Sequence, residues 1–384
     1  MASHFRRPVR RRLILAGFAL VCLAAAATVF SGGKKNETVV SAATPVSVRL
    51  PDLSAGLSNH QLAGQRIVAG FEGRQVPATL RRRIRAGLVG GVILFADNLG
   101  SRRQVRQLTR SLQRIPRPAG LRRYPLLVMV DQEGGLVKRL SGAPRASAEQ
   151  MGARGASYAR RQGMLTGRNL RNAGINVNLA PVLDVGRPGG VIAGTDRAFG
   201  STARQVINTA IPFARAMRRA GVAATAKHFP GLGAARENTD FAVQRIRLSR
   251  AALRRVDLAP YSPFIRGGGQ LIMVGTAIYP AFGPRPAAFE PRIVRGELRR
   301  RLGFEGVTVT DAMGTVAVSD FGGTKRSAIA AAHAGMDLLL YGDWPSGGRA
   351  ERAIALRLRT GRLPRAQFTR AVNRVLRLRA GLGR

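Results

Sequence analysis

Short apolar runs recur along the chain at about 67–69, 92–95, 126–131, 175–180, 221–227, 271–275, 307–311 and 337–341. Between them lie longer Arg- and Ala-rich stretches with helical spacing, such as 101–114, 157–172, 202–219 and 248–257. Strands that alternate with helices imply βα units and a parallel sheet, because a parallel connection needs a long crossover and a helix supplies it. Eight such units predict an α/β fold, a (β/α)8 TIM-type barrel. The candidate polar residues Asp131, Arg197, Lys227, His228 and Asp311 mostly stand at the last position of a run or just after one. In such a barrel the loops beyond the strand carboxyl ends carry the ligand site.

The N-terminus reads differently. Arg6, Arg7, Arg10, Arg11 and Arg12 precede an apolar run from Leu13 to Phe30. These are the n-region and h-region of an export signal, with Ala24–Ala27 as a small-residue cleavage zone. The run is also close to the lower length of a spanning helix, so residues 1–30 read as a signal peptide or a membrane anchor. In both cases the arginines stay inside and residues 31–384 are delivered outside. The expected location is therefore exported: secreted, or N-terminally anchored in the cell envelope. Cys22, the one cysteine, lies inside the apolar run behind Val21, where a lipidation site needs a small residue. The exported part then has no disulfide. Residues 31–55 are polar and Gly/Ser/Pro-containing and read as a flexible linker. Residues 56–384 read as the barrel, with helical stretches at Ala350–Leu358 and Arg365–Leu378 after the last strand.

The formal net charge is +43, nearly all of it arginine, since lysines occur only at 34, 35, 138, 227 and 325. One reading is arginine-rich codon usage with solvated helix faces. The other is attraction to a polyanion, which for an exported protein means anionic membrane headgroups or an acidic wall polymer. Nucleic acid fits less well, because aromatics make up 5% of the chain and the arginines are spread rather than banded. Among other chemistries, no His/Cys cluster has zinc spacing, and neither a G-x-S-x-G elbow nor a Walker-type loop is present. No metal and no cofactor are expected.

The motifs are more specific. Residues 227–233 read Lys-His-Phe-Pro-Gly-Leu-Gly, and residues 91–98 read GVILFADN. Residues 126–140 read LLVMVDQEGGLVKRL, residues 175–185 INVNLAPVLDV, and DRAFG follows at 196–200. VTVTDAM stands at 307–313 and AGMDLLL at 334–340. In this order they resemble glycoside hydrolase family 3, in particular its single-domain β-N-acetylglucosaminidase (β-hexosaminidase) branch. The roughly 40 residues after the last strand leave no room for the second sheet domain of the larger β-glucosidase branch. The resemblance implies a single catalytic domain that removes terminal β-linked N-acetylhexosamine with retention, from peptidoglycan or other cell-wall fragments. A β-glucosidase-type hydrolase of another sugar and a catalytically impaired glycan-binding protein are the alternatives.

The same resemblance assigns roles. A retaining glycosidase needs a carboxylate nucleophile and a proton donor flanking the scissile bond. Asp311 occupies the nucleophile position. Asp131, Arg197, Lys227 and His228 match positions that bind the sugar hydroxyls. Asp184 reads as a structural carboxylate near the rim, and Glu133 as a supporting residue behind the site. The branch usually supplies a His proton donor from the loop after the heptapeptide, oriented by an Asp two residues earlier. This chain has histidines only at 4, 60, 228 and 333. Counted from Lys227, the usual Asp position holds Asn238 and the usual His position holds Asp240. Either Asp240 or Glu237 is then the acid/base, or general-acid help is missing. Leu232 and Thr276 also stand where the family often has His.

Overall fold

The computed structural model describes residues 51–383. The sequence features of residues 1–50, the charged and apolar leader and most of the spacer, lie outside the described residues. Among the described residues no helix is long and apolar enough to cross a membrane. Residues 51–55, expected as the end of the linker, are instead packed: Ser54 is buried, Leu53 rests on the core, and Asp52 accepts a hydrogen bond from Asn373 at 2.8 Å.

Eight parallel strands form one sheet: Ile67–Ala69, Gly91–Ile93, Leu127–Val130, Val177–Asn178, Ala223–Phe229, Leu271–Val274, Val307–Thr310 and Leu339–Tyr341. Each pairs with its sequence neighbour, and the last pairs with the first through Ile67↔Leu339. Leu338 closes the ring, donating to Thr308 O at 2.8 Å and accepting from Thr310 N at 3.0 Å. The eight strands fall at the eight expected runs, with two differences. The run at 175–180 gives only two ladder residues before the chain leaves at Ala180–Pro181. The run at 221–227 continues to Phe229, so Lys227 and His228 belong to the strand itself.

Strand side chains alternate between faces with a period of two. Val68, Ile93, Leu127, Met129, Val177, Leu179, Ala223, Leu271, Met273, Val307 and Val309 fill the barrel interior. Val128, Val130, Val92 and Ile272 point outward into the layer beneath the helices. The outer helices are amphipathic at the expected places. In Arg102–Arg114, capped by Ser101, the buried residues are Val105, Leu108, Thr109 and Leu112. Helices Gly155–Asn172 and Ala203–Arg219 approach closely enough that a Cβ on Gly163 would lie 2.2 Å from Phe213 O. The stretch expected as one helix at 248–257 is a single turn, Arg250–Ala252, continued by wider i→i+5 turns through Asp257.

The C-terminal helix Arg365–Leu382 closes the barrel at the strands' amino ends. Val375 joins the interior cluster, and Leu378 and Leu382 pack against it. Arg379 is fully buried and donates to Pro125 O at 2.7 Å, Tyr124 O at 2.9 Å and the Gln65 side chain. Asp337 ties this end together. It accepts from Arg299 at 2.5 Å, Arg374 at 2.7 Å and the Thr308 backbone N–H at 2.8 Å, while itself fully buried. Burial pushes its carboxyl up, but the two guanidiniums outweigh that and hold it below the ordinary range.

Removing one partner of such a buried network leaves uncompensated charge. Asp337→Ala should destabilise the folded protein by about 3 kcal/mol, read as the shift of the urea unfolding midpoint. A change below about 0.5 kcal/mol would mean that the network is ornamental.

Candidate active site

The pleat that fills the barrel also aims the polar residues. Leu127 and Met129 point inward, so Asp131, two residues on, continues the inward row at the barrel mouth, and Glu133 follows. Val307 and Val309 likewise lead to Asp311. Ala223 leads through Thr225 to Lys227. These residues, with Arg197, His228 and Asp240, line one cavity of about 210 Å3 at the strand carboxyl ends. Ile93, Leu179, Met273 and Leu340, from four strand ends, form its apolar floor.

A compact charge cluster occupies one wall. Lys227 Nζ donates to Asp131 Oδ1 at 2.6 Å and lies 2.8 Å from Glu133 Oε1. Arg197 grips both oxygens of Glu133, Nε to Oε2 and a terminal nitrogen to Oε1, each at 2.8 Å. Two carboxylates thus balance two cations in a nearly dry site. Burial works against the charges of Glu133 and Lys227. For Glu133 burial pushes the carboxyl up, but Lys227 and Arg197 overcome it and draw it down to about 2. Burial would deprotonate Lys227, yet Asp131 and Glu133 raise its pKa, so it remains an ammonium. Glu133, expected behind the site, is therefore the hub that holds both cations, and it lines the cavity itself.

The turn that delivers Asp131 and Glu133 depends on Gly134. Its φ of +105° is in the left-handed region, and a Cβ there would lie 2.1 Å from Ala146 O. The chain then returns as a short hairpin, Gln132–Gly134 against Val137–Lys138, which brings Val137 and Arg139 to the cavity.

His228 is held by Asp184. The His228 Nδ1 and Asp184 Oδ2 are 2.7 Å apart, and the other carboxylate oxygen accepts from the His228 and Leu232 backbone N–H groups at 3.1 and 2.7 Å. Asp184 is fully buried and outside the cavity, in keeping with a structural carboxylate, and it leaves His228 Nε2 as the ring atom available to a ligand. Behind it Arg187 pairs with Asp257 in a two-pronged contact at 2.7 and 2.8 Å.

The other side of the cavity presents Asp311 and Asp240. Asp311 follows its strand directly; its backbone N–H donates to Val274 O and its Oδ1 accepts from Ala312 N at 2.8 Å. Asp240 comes from the loop after the heptapeptide. It is fixed by Asn238, whose side-chain oxygen accepts from Asp240 N at 3.0 Å and whose amide donates to Asp240 Oδ2 at 3.2 Å. The Val316 N–H donates to the Asp240 carbonyl at 3.3 Å, which ties this loop to the loop that follows Asp311. Although Asp240 keeps contact with solvent, desolvation, and next the charge of Asp311, raise its pKa above the ordinary carboxylate range. Glu237 is exposed and takes no part in the cavity lining. Thr276 is buried away from the cavity, its hydroxyl without a hydrogen-bond partner among the described residues.

Residues 60–378 match the family model described as "Glycosyl hydrolase family 3 N terminal domain". An "Uncharacterized secreted glycosyl hydrolase" of Arthroderma benhamiae is 35% identical over 332 residues, covering 83% of this chain and 93% of that protein. A "Beta-hexosaminidase" of Alkalilimnicola ehrlichii is 34% identical over 288 residues, covering 73% of this chain and 81% of the other. Among solved structures, a family 3 β-N-acetylglucosaminidase from Paenibacillus sp. superposes with a TM-score of 0.80 at 35% identity. That match covers 85% of this chain, which spans 63% of the Paenibacillus chain. A β-N-acetylhexosaminidase from Beutenbergia cavernae superposes with a TM-score of 0.77 at 31% identity, covering 85% of this chain and 99% of the other.

The charge cluster makes a prediction about acid stability. Glu133 is drawn from an ordinary value near 4.5 to about 2 in the folded state. A carboxyl lowered on folding contributes stability that is present above its unfolded pKa and is lost as pH falls toward the folded one. Urea midpoints of the unmodified protein should therefore drop between about pH 4.5 and 2. In Glu133→Gln that segment should be shallower, and stability at neutral pH should fall by about 3 kcal/mol, because two buried cations are left with one carboxylate. Identical acid limbs in the two proteins would contradict the cluster's role.

Proposed function

The chain belongs to glycosyl hydrolase family 3 and is a glycosidase of its β-hexosaminidase kind, and we propose that it works by a two-step retaining mechanism. Asp311 is the nucleophile and Asp240 the acid/base. Asp131, Arg197, Lys227 and His228 hold the sugar. The observation that carries this reading is the convergence of Asp311 and Asp240, from two different loops, on the one cavity that the four sugar-holding side chains also line.

The chemistry follows from the wiring. A terminal N-acetylhexosamine presents hydroxyls and an acetamido group. Lys227 and Arg197 are donors, Asp131 is an acceptor, His228 offers Nε2, and all are held by partners that leave them little freedom. Rigid donors need no reorganisation as charge develops at the anomeric carbon. Asp311 attacks that carbon and the glycosidic bond breaks. The leaving oxygen takes a proton from Asp240, whose raised pKa suits it to carry one. The glycosyl ester on Asp311 is then hydrolysed by a water that gives its proton back to Asp240. A carboxyl raised by burial and by a neighbouring carboxylate is suited to the acid role. A carboxyl donor in place of the family's His is the departure in this chain. The seat of Asp240 in the cavity supports an acting acid over an impaired site.

We read the natural substrate as a cell-wall glycan fragment and the protein as exported. The leader pattern of residues 1–30 and the secreted relative from Arthroderma benhamiae support export. The arginine-rich surface fits contact with an anionic membrane or wall polymer, with no specific nucleic acid.

The test uses two aryl β-N-acetylglucosaminides, one with a very good leaving group and one with a poor one. Asp311→Asn should abolish turnover of both. Asp240→Asn should lower kcat/KM for the poor leaving group by about 10²–10⁴-fold while sparing kcat/KM for the activated one, because only the former needs a proton in the transition state of the first step. With the poor leaving group, kcat/KM should fall as pH rises through the raised pKa of Asp240, and that limb should vanish in Asp240→Asn. Equal loss on both substrates in Asp240→Asn would remove Asp240 from the acid role.

A further inference from the structure

Asp240 reaches the cavity on a loop that the barrel grips by hydrogen bonds mainly at its two ends. On the incoming side the Ala235 carbonyl accepts from the Val191 N–H at 2.8 Å. On the outgoing side the Ile246 N–H donates to Ile278 O at 2.9 Å, and the Ile278 N–H donates back to the Gln244 carbonyl at 2.8 Å. Val191 follows the fourth strand of the barrel and Ile278 the sixth, so the ends are pinned to separate segments. Among the described residues, one hydrogen bond ties residues 236–243 to anything beyond the loop and its neck. It runs from the Val316 N–H to the Asp240 carbonyl at 3.3 Å, and Val316 stands on the segment that begins with Asp311.

One side chain joins the two ends. Gln244 Oε1 accepts from the Arg236 and Glu237 backbone N–H groups at 3.2 and 3.4 Å. Because the Gln244 backbone is itself bonded to Ile278, this half-buried side chain fastens the free incoming stretch to a pinned outgoing one. The next residue after this clasp is Asn238, whose two hydrogen bonds set Asp240.

The Asn238 bonds are internal to the loop. They orient the Asp240 carboxyl within it, but they do not place the loop on the barrel. Proton transfer needs the acid within about 3 Å of the leaving oxygen, or one water away. A misplacement of about 1 Å in such a group can cost about 10²-fold in rate. Placement therefore falls to Gln244 at the neck and to Val316 at the tip. Val316 is suited to it, because it is the first residue of helix Val316–Ser319 and its N–H has no carbonyl of its own helix to bond.

We propose that Gln244 and the Val316 N–H are positioning groups for the acid: Gln244 clasps the neck of its loop, and Val316 holds Asp240 in register with the segment that carries Asp311. This rests on the reading of Asp240 as the acid/base.

Two substitutions remove these bonds with little else. Gln244→Leu deletes the acceptor at similar volume. Val316→Pro deletes the N–H at the first position of a helix, where proline is tolerated, and Thr315 before it already has the extended backbone that a following proline requires, with φ −84° and ψ 163°. Each should lower kcat/KM for the aryl β-N-acetylglucosaminide with the poor leaving group by about fivefold, the net worth of one hydrogen bond. Each should spare the activated substrate, whose turnover also reports that the protein is folded. Gln244→Glu keeps an accepting oxygen and should restore the rate on the poor leaving group. In an Asp240→Asn background neither substitution should lower that rate further, because the acid whose place they set is gone. Equal loss on both substrates, a Gln244→Glu protein as impaired as Gln244→Leu, or a loss that persists in the Asp240→Asn background would overturn the proposal. Asp240→Asn alone separates the two readings. If it slows both substrates alike, the acid assignment fails and this proposal fails with it. If it discriminates between them while Gln244→Leu and Val316→Pro do not, the positioning proposal alone fails.

Discussion

The two-residue pleat of a closed parallel barrel is the constraint from which this molecule follows. In a ring of eight strands, each inward row must fill the interior with apolar side chains and then end where the barrel opens. Leu127–Met129 end in Asp131, Val307–Val309 in Asp311, and Ala223–Thr225 in Lys227. A slip of one residue in any of these strands would bury its carboxylate or ammonium beneath the helices and turn an outer valine into the mouth. The hydrophobic core and the site are therefore specified by one pattern. The barrel's other end is closed by a helix whose one buried cation, Arg379, is satisfied largely by backbone carbonyls, which leaves the carboxyl-end face as the open one.

Electrostatics then decides what that face can do. The Asp131–Lys227–Glu133–Arg197 cluster is close to neutral as a whole, so it can stay charged in a desolvated place. Asp240 is treated differently: burial, and next Asp311, raise its carboxyl more than Asn238, His228 and Arg197 lower it. The same pocket thus contains groups held charged for binding and a group held ready to be protonated. Asp184 extends this logic outward by fixing His228 without entering the cavity.

Much of this was legible in the sequence. The eight apolar runs carried the barrel because each is short, β-rich and separated by helical stretches long enough for a crossover. Asp131, Lys227, His228 and Asp311 were legible because strand ends at the upper rim are where chemistry collects, Arg197 through the DRAFG motif, and the structure brings all five to one cavity. Asp240 and Glu237 were left as alternatives; the Asn238 turn that sets Asp240 at the cavity lining and leaves Glu237 outside it is a loop conformation with no periodic signal. Glu133 was underrated for a related reason. Its importance comes from Arg197, 64 positions away, and from Lys227, both brought to it only by the closed barrel. Arg139 was missed because the short hairpin of residues 132–138 brings it back to the cavity. The end of the spacer was misjudged because a polar, Pro-containing segment can still pack when a neighbouring helix offers Asn373 as a partner.

In the proposed mechanism Asp311 becomes covalently bonded to the sugar. The direct measurement is mass spectrometry of the protein after reaction with a fluorinated N-acetylglucosaminyl donor whose ester is formed faster than it is hydrolysed. One added glycosyl mass is expected, located by peptide sequencing on Asp311 and absent in Asp311→Asn. Donor consumption with the label on another carboxylate, or with no label on the protein under conditions where the ester persists, would contradict it.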